Sequence, residues 1–85
     1  MTQEEFYNLY NKISDALYEY EDYHCQYYCS DETYRGTSMT FEVHIHSDQG
    51  KGYDWVEDWV IDDCGRIHSE DTIYESYEEF LREWI

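Results

Sequence analysis

The amino-acid sequence predicts an α+β fold with an N-terminal helix, a three-stranded antiparallel sheet and a C-terminal helix in two layers. Two observations predict it. Apolar residues recur at three- and four-residue steps near both ends of the chain, whereas its middle alternates between apolar and polar residues. A chain of 85 residues has room for one hydrophobic core, so residues 1–85 are predicted to form a single domain.

The first predicted element is a helix that begins after Thr2. Thr2 and Glu5 fit a capping box, in which each side chain accepts a hydrogen bond from a free backbone N–H at the helix start. We expect the helix to run from about Gln3 to a point between Tyr23 and Tyr28. Its buried stripe has helical spacing and consists of Phe6, Leu9, Tyr10, Ile13, Leu17, Tyr20 and His24.

The next stretch, residues 29–37, is polar and contains Gly36, a composition that predicts a loop. The clearest strand follows it, because apolar and polar residues then alternate with a period of two. The apolar set, which we expect to face the helices, is Met39, Phe41, Val43 and Ile45. The polar set is Thr40, Glu42, His44 and His46.

Two glycines within residues 47–52 predict a hairpin turn, which leads into a second strand over residues 53–61. The many aromatic and β-branched residues there favour strand over helix. Glu57 would then fall on an otherwise apolar face, so we expect a β-bulge near it. Residues 63–65 predict a further turn, and residues 66–70 predict a short third strand.

The last predicted element is a helix that starts at Ser76, where Ser76 and Glu79 fit a second capping box. Its buried stripe consists of Tyr77, Phe80, Leu81 and Trp84, and Ile85 is a further candidate. With both helices on one face of the sheet, we expect the other face to carry Thr40, Glu42, His44, His46, Asp54, Asp58 and Asp62.

The charge of the chain is extreme, since 21 Asp and Glu residues face five Lys and Arg residues and the net charge is −16. Such a surface repels nucleic acid and anionic membranes, and it attracts basic clefts. The predicted partner is therefore a basic nucleic-acid-binding protein, with no direct contact to nucleic acid or membrane. Adaptation to high salt and an ordinary solvated surface are the two plainer explanations of the acidity.

A folded array of carboxylates can imitate a nucleic-acid backbone. Carboxylates two residues apart on a strand lie roughly 6.5–7 Å from each other, which is similar to the phosphate spacing. Eleven tyrosines add contact area of the kind that protein interfaces favour. The predicted partner-binding residues are Glu19, Glu21, Asp22, Asp31, Glu32, Asp54, Glu57, Asp58, Asp62, Asp63, Glu70, Asp71, Tyr27, Tyr28, Tyr34 and Tyr53.

The sequence contains no glycine-rich phosphate loop, nucleophile elbow or HExxH motif, so we predict no enzymatic activity, no cofactor and no metal. A small zinc-binding module is the alternative of a different class. Its ligands would be two pairs at one-turn spacing, Cys25 with Cys29 and Cys64 with His68. Such cysteines are more often small core residues. His44 and His46, which share a strand face with Glu42, are a second possible metal position.

In size, acidity, tyrosine content and lack of catalytic motifs, the chain resembles phage-encoded anti-CRISPR and anti-restriction proteins. The resemblance extends over the whole chain and rests on this bulk character, with no shared motif. It implies an inhibitor that blocks the nucleic-acid channel of a defence nuclease such as a CRISPR effector. In the same bulk character the chain also resembles bacterial immunity proteins and antitoxins, which implies the alternative of a protein that caps a basic nuclease toxin.

The predicted location is the cytoplasm, namely that of the host cell if the protein is phage-encoded. Three cysteines cannot all pair within one chain, and an odd number is typical of a reducing compartment. Residues 1–5 lack the basic and apolar regions of a secretory signal. No stretch approaches the roughly 20 apolar residues that a membrane-spanning helix needs.

Overall fold

The computed structural model describes residues 1–20, 25–47 and 53–84, with the backbone alone for residue 53. It confirms an α+β fold in which one helix precedes and another follows a wholly antiparallel sheet along the chain. The sheet has five strands, where the sequence predicted three. The strands follow one another in chain order across the sheet. The elements are α1 (Gln3–Glu19), β1 (Cys25–Tyr34), β2 (Ser38–Ser47), β3 (Tyr53–Asp62), β4 (Ile67–His68), β5 (Ile73–Tyr74) and α2 (Tyr77–Trp84).

Helix α1 begins as predicted and ends earlier. The Thr2 hydroxyl accepts a hydrogen bond from the Glu5 amide at 3.1 Å, and the Glu5 carboxylate accepts one from the Thr2 amide at 2.9 Å, which completes the capping box. The helix ends at Glu19, and Tyr20 has an extended backbone. The predicted end between residues 23 and 28 was wrong, because residues 25–34 form a strand whose aromatic residues happened to continue the helical spacing.

Strand β1 also replaces most of the loop predicted over residues 29–37. Only residues 35–37 connect it to β2, where the Arg35 amide donates to the Ser38 carbonyl at 2.8 Å and Gly36 has a φ of 92°. The pairing of β1 with β2 shifts register between Ser30 and Thr33. The polar residues that suggested a loop instead form a β-bulge in a strand at the edge of the sheet.

Strands β2 and β3 pair over ten consecutive positions, from Ser38 with Asp62 to Ser47 with the backbone of residue 53. This register confirms the predicted hairpin, although turn residues 48–52 lie outside the described part of the chain. The bulge predicted near Glu57 was wrong, since the pairing continues there without a shift. Glu57 is accommodated on the apolar face because its carboxylate accepts a hydrogen bond from the indole N–H of buried Trp59 at 2.9 Å.

The third strand predicted over residues 66–70 is only the two-residue β4, and the equally short β5 was not predicted. Strands of two residues are too short to show a period of two in the sequence. At the start of α2, the Ser76 hydroxyl accepts a hydrogen bond from the Glu79 amide at 3.1 Å. The Glu79 carboxylate accepts from the Glu75 amide.

The hydrophobic core lies between one face of the sheet and the two helices. All four predicted apolar residues of β2 are buried in it, together with Phe6, Tyr10, Ile13 and Leu17 of the predicted α1 stripe. Leu9 and Tyr20 are only partly buried, and His24 lies outside the described residues.

Trp59, which is 1% exposed, lies at the centre of a group of aromatic side chains in this core. The centroid of its ring system is 5.9–6.4 Å from the ring centroids of four aromatic neighbours. Those neighbours come from β2, β5 and α2, and they are Phe41, Tyr74, Phe80 and Trp84.

Because Trp59 connects three elements, we expect Trp59→Ala to lower the free energy of unfolding by about 3–5 kcal/mol. Trp59→Phe keeps most of the ring and loses the hydrogen bond to Glu57, so its cost should be nearer about 1–2 kcal/mol. Urea denaturation followed by circular dichroism measures both. Tyr18, which is 76% exposed, supplies the control, since Tyr18→Ala should change stability by less than about 0.5 kcal/mol. Equal losses at residues 18 and 59 would contradict the packing described.

An uncovered acidic sheet face as a candidate partner interface

The face of the sheet opposite the helices has no element packed over it within the described residues. Cross-strand pairs fix its composition, since Glu42 lies opposite Asp58, His44 opposite Val56, and His46 opposite Asp54. These are the residues that the period of two in β2 and β3 predicted for this face. We call this surface the open face, and it comprises Gln26, Tyr28, Ser30 and Thr33 of β1; Ser38, Thr40, Glu42, His44 and His46 of β2; Asp54, Val56, Asp58, Val60 and Asp62 of β3; His68 of β4; and Ile73 of β5.

The carboxylates of the open face are arranged across strands more densely than along them. On β3, Asp54 and Asp58 are both exposed and are separated by Val56, so that four residues place them roughly 13 Å apart. Directly opposite cross-strand residues such as Glu42 and Asp58 have Cβ atoms only about 5 Å apart. The spacing of roughly 6.5–7 Å expected along one strand is therefore absent from β3, because valines occupy the intervening positions.

Apolar and aromatic side chains lie among these acids. Val56 is 47% exposed, Ile73 is 54% exposed and Tyr28 is 49% exposed. The Tyr28 ring stacks on the imidazole of His44, with centroids 4.5 Å apart and planes 8° from parallel. Exposed apolar residues next to charged ones are typical of surfaces that bind other proteins.

The histidines of the open face contact carboxylates. The His46 ring contacts the Asp54 carboxylate through Nδ1. The His44 Nε2 atom lies 3.3 Å from a Glu42 oxygen and 2.7 Å from the Ser30 hydroxyl. A concavity of about 290 Å³ near the β2–β3 hairpin end is lined by Gln26, Tyr28, His44, Ile45, His46, Asp54 and Trp55.

Asp31 joins the open face because of the bulge in β1. Two residues, Asp31 and Glu32, fit opposite one residue of β2, and Asp31 has a φ of 55°. Asp and Asn tolerate this left-handed conformation better than most residues. The Asp31 carboxylate lies beside Glu42 and His44, whereas Glu32 lies close to Tyr10 of α1. Burial, followed by the Glu32 charge, raises the pKa of Tyr10.

Asp62, a predicted partner-binding residue, is instead occupied by contacts within the protein. Its carboxylate accepts hydrogen bonds from the Cys64 and Arg66 amides, the Arg66 side chain and His68 Nε2, at 2.8–3.0 Å. Partial burial opposes ionisation of Asp62. The hydrogen bonds from His68, Arg66 and Cys64 outweigh burial and hold the pKa of the carboxyl well below its usual range. Asp62 therefore fixes the β3–β4 turn, where Gly65 has a φ of 81°.

Other predicted contact residues lie away from the open face. Glu57 and Tyr27 lie on the helix-covered face, where the Tyr27 ring contacts Tyr20 and Trp84. The remaining positions are dispersed over the molecule. The Tyr34 ring contacts Phe6, and Asp63 forms an ion pair with the N-terminal ammonium. Glu19 ends α1, Asp71 lies between β4 and β5, and a Glu70 oxygen lies 3.4 Å from the Asp58 amide nitrogen. Glu21, Asp22 and the side chain of Tyr53 lie outside the described residues.

The structure does not assemble the four proposed zinc ligands. Cys25 and Cys29 belong to a strand, not a helix, so four residues separate them by roughly 13 Å. Cys64 is an exposed turn residue, and His68 hydrogen-bonds to Asp62. Burial raises the pKa of Cys29 to about 12, against a smaller opposite effect of a hydrogen bond with Ser14, so that its thiol stays protonated.

We expect Asp62→Asn to lower the free energy of unfolding by about 1–3 kcal/mol at pH 7, because the ionised carboxylate accepts charge-assisted hydrogen bonds. The folded-state pKa of Asp62 is depressed, so this stabilisation is present above the unfolded pKa of about 4. It is lost as the pH falls below that value toward the folded pKa. Urea titrations of both proteins should therefore show a smaller difference in stability at pH 3 than at pH 7. A difference that persists undiminished at pH 3 would contradict this role.

Comparisons of the chain with family models, with curated proteins and with solved structures gave no match. Among the described residues, neither helix has the length and apolar character needed to cross a membrane.

Proposed function

We propose that this protein is an anti-defence inhibitor, of the kind that phages encode against CRISPR effectors, which binds a basic nucleic-acid-binding site through its open face. The bound protein would act as an acidic DNA mimic and keep DNA or RNA from the nuclease complex. The observation that carries the proposal is the open face itself, on which the carboxylates of Asp31, Glu42, Asp54 and Asp58 surround exposed Tyr28 and valine side chains.

The distribution of basic residues supports this choice of surface. Within the described residues, Lys12 lies over the Tyr77 ring between the helices, Arg66 pairs with Asp62, and Arg82 belongs to α2. Arg35 lies at the bulge end of the open face, where it donates to Thr40. Among the described residues, no Lys or Arg therefore forms an ion pair with Glu42, Asp54 or Asp58, and acidic charge on an open surface steers a basic partner toward it.

The arrangement of the acidic residues fits a basic groove in the partner better than a single row of basic residues. Ten-residue strands extend roughly 33 Å, which is long enough for one side of a standard protein interface. Carboxylates on neighbouring strands are close, whereas those along β3 are separated by valines. A basic channel that surrounds a nucleic-acid duplex contacts charges on both strands, and the open face offers charges in two dimensions with apolar contact between them.

To test the proposal, the immobilised protein would capture its partner from host cells, and the purified partner would be titrated with labelled DNA or RNA in its presence. We expect the protein to displace nucleic acid and to bind more weakly as salt rises. A partner that binds nucleic acid and this protein at once would contradict the inhibitory mechanism. A captured secreted nuclease toxin would contradict the anti-defence role and support an immunity protein.

Charge reversal tests which surface makes the contact. We expect Asp58→Lys to weaken partner binding at least tenfold, because it places a positive charge at the centre of the open face. Glu83→Lys on α2 is the matched control, since it makes the same change in net charge at an exposed position on the helix side. Binding constants measured by calorimetry with the purified partner should fall only for residue 58. An equal loss in both variants would show that total charge, and not the open face, determines affinity.

A further inference from the structure

The bulge in β1 gathers three side chains whose oxygen and nitrogen atoms are suitable metal ligands. One ligand atom from each of Asp31, Glu42 and His44 lies within 4.8 Å of the other two. The His44 Nε2 atom is 3.3 Å from a Glu42 oxygen, and the adjacent Ser30 hydroxyl is 3.3 Å from an Asp31 oxygen. Within the described residues this is the single group of three or more His, Cys, Asp or Glu side chains so placed.

The imidazole of His44 is oriented before any ion arrives. Its ring stacks in parallel on Tyr28, which fixes the ring plane, and its Nε2 points toward Ser30 and Glu42. Half-buried His44 and Glu42 project from the same face of β2, two positions apart. Regular alternation would send the residue after Ser30 to the helix side, and the bulge at Asp31 instead brings a second carboxylate to the imidazole.

The charges around this group favour a cation. Two carboxylates, those of Asp31 and Glu42, lie close to one imidazole, and a third acid, Asp58, lies directly opposite Glu42 on β3. Asp31, Glu42 and Asp58 also line a concavity of about 500 Å³. Arg35 lies at its edge, where the guanidinium donates to Thr40.

We propose that Asp31, Glu42 and His44 form a binding site for a divalent first-row transition-metal ion such as Zn²⁺, with its remaining coordination positions open to water or to a partner's side chain. Two carboxylates and one imidazole are ligands that such ions accept, whereas Ca²⁺ and Mg²⁺ prefer oxygen alone. The site stands independently of the proposed inhibitory function, because metal binding is measured on the isolated protein.

Titration of the chelator-treated full chain with Zn²⁺ by calorimetry, and with Co²⁺ by visible absorption, tests the site. Cys64→Ser provides the background, because that exposed thiol could bind either metal by itself. We expect one ion per chain, with affinity reduced at least tenfold by His44→Ala and by Glu42→Gln. His46→Ala is the matched control, since His46 also contacts a carboxylate on the open face but belongs to no such group of three among the described residues. It should leave binding unchanged.

Failure of the Cys64→Ser protein to bind Zn²⁺ or Co²⁺ would overturn the proposal, as would equal affinity in His44→Ala or an equal loss in His46→Ala. Circular dichroism checks that each variant is folded. If His44→Ala is unfolded because the Tyr28 stack is lost, nitrogen chemical shifts of the unsubstituted imidazoles decide the matter. Zn²⁺ should then shift the Nε2 resonance of His44, and a shift confined to His46 or His68 would place the ion elsewhere and overturn the assignment. Excess Mg²⁺ should not displace Zn²⁺, and displacement would overturn the proposed ion class.

Discussion

The period of two in strand β2 is the constraint on which the rest of this structure depends. β2 pairs with β1 on one side and with β3 on the other, so its register determines which side chains of both neighbouring strands point to the core and which point to the open face. Met39, Phe41, Val43 and Ile45 are 0–4% exposed and bind the helices to one face of the sheet. A shift of one residue would reverse every side chain. The same alternation that forms the core therefore also delivers Glu42, His44 and His46 to the open face.

Because both helices cover one side of the sheet, the acidic side chains on its other side stay exposed to solvent and close to one another. A compact chain with a net charge of −16 repels itself, and few ion pairs within its described residues relieve the repulsion. The structure relieves it locally where an acid has a structural task, as at Asp62, which accepts four hydrogen bonds, and at Asp63, which pairs with the N-terminal ammonium. Asp58, in contrast, projects from the centre of an exposed sheet surface, whereas Asp54 lies nearer the β2–β3 hairpin, where it contacts His46. Asp62 and Asp63 thus have partners within the protein, whereas we propose that exposed Asp58 is available to a ligand or partner.

The sequence predicted those parts of the fold that have long regular patterns. The α1 cap, the β2 alternation and the β2–β3 hairpin all followed from spacing. The end of α1 and the existence of β1 could not be predicted, because residues 20–28 are aromatic at spacings compatible with either helix or strand. Glu57 was misjudged for another reason. A bulge was expected to remove it from the apolar face, but a hydrogen bond from Trp59 across the intervening residue keeps it there.

The candidate site was predictable only where it follows the same alternation. The open-face positions of β2 and β3 could be assigned from spacing, whereas the role of Asp62 depends on a turn that brings Arg66 and His68 back to it. Asp31 shows most clearly which part of the site could not be predicted from the sequence. Its neighbours Glu42 and His44 are more than ten residues away, and only the bulge turns its side chain toward them. The sole signal in the sequence was a residue type that tolerates a positive φ within a polar stretch.

The bulge also gives the open face two chemically different ends. Toward the β2–β3 hairpin, His46 contacts a single carboxylate, that of Asp54, and aromatic side chains line the neighbouring concavity. We propose that this end offers acidic and aromatic surface to a broad partner. At the bulge, two carboxylates converge on one imidazole whose plane Tyr28 already fixes, an arrangement that suits a compact cation better than a guanidinium. A metal ion there would neutralise part of the charge next to Asp58, which lies directly opposite Glu42, and would leave Asp54 at the hairpin end uncovered. Occupation of the bulge end would therefore weaken the attraction of a basic partner to that end and leave the acid at the hairpin end in place.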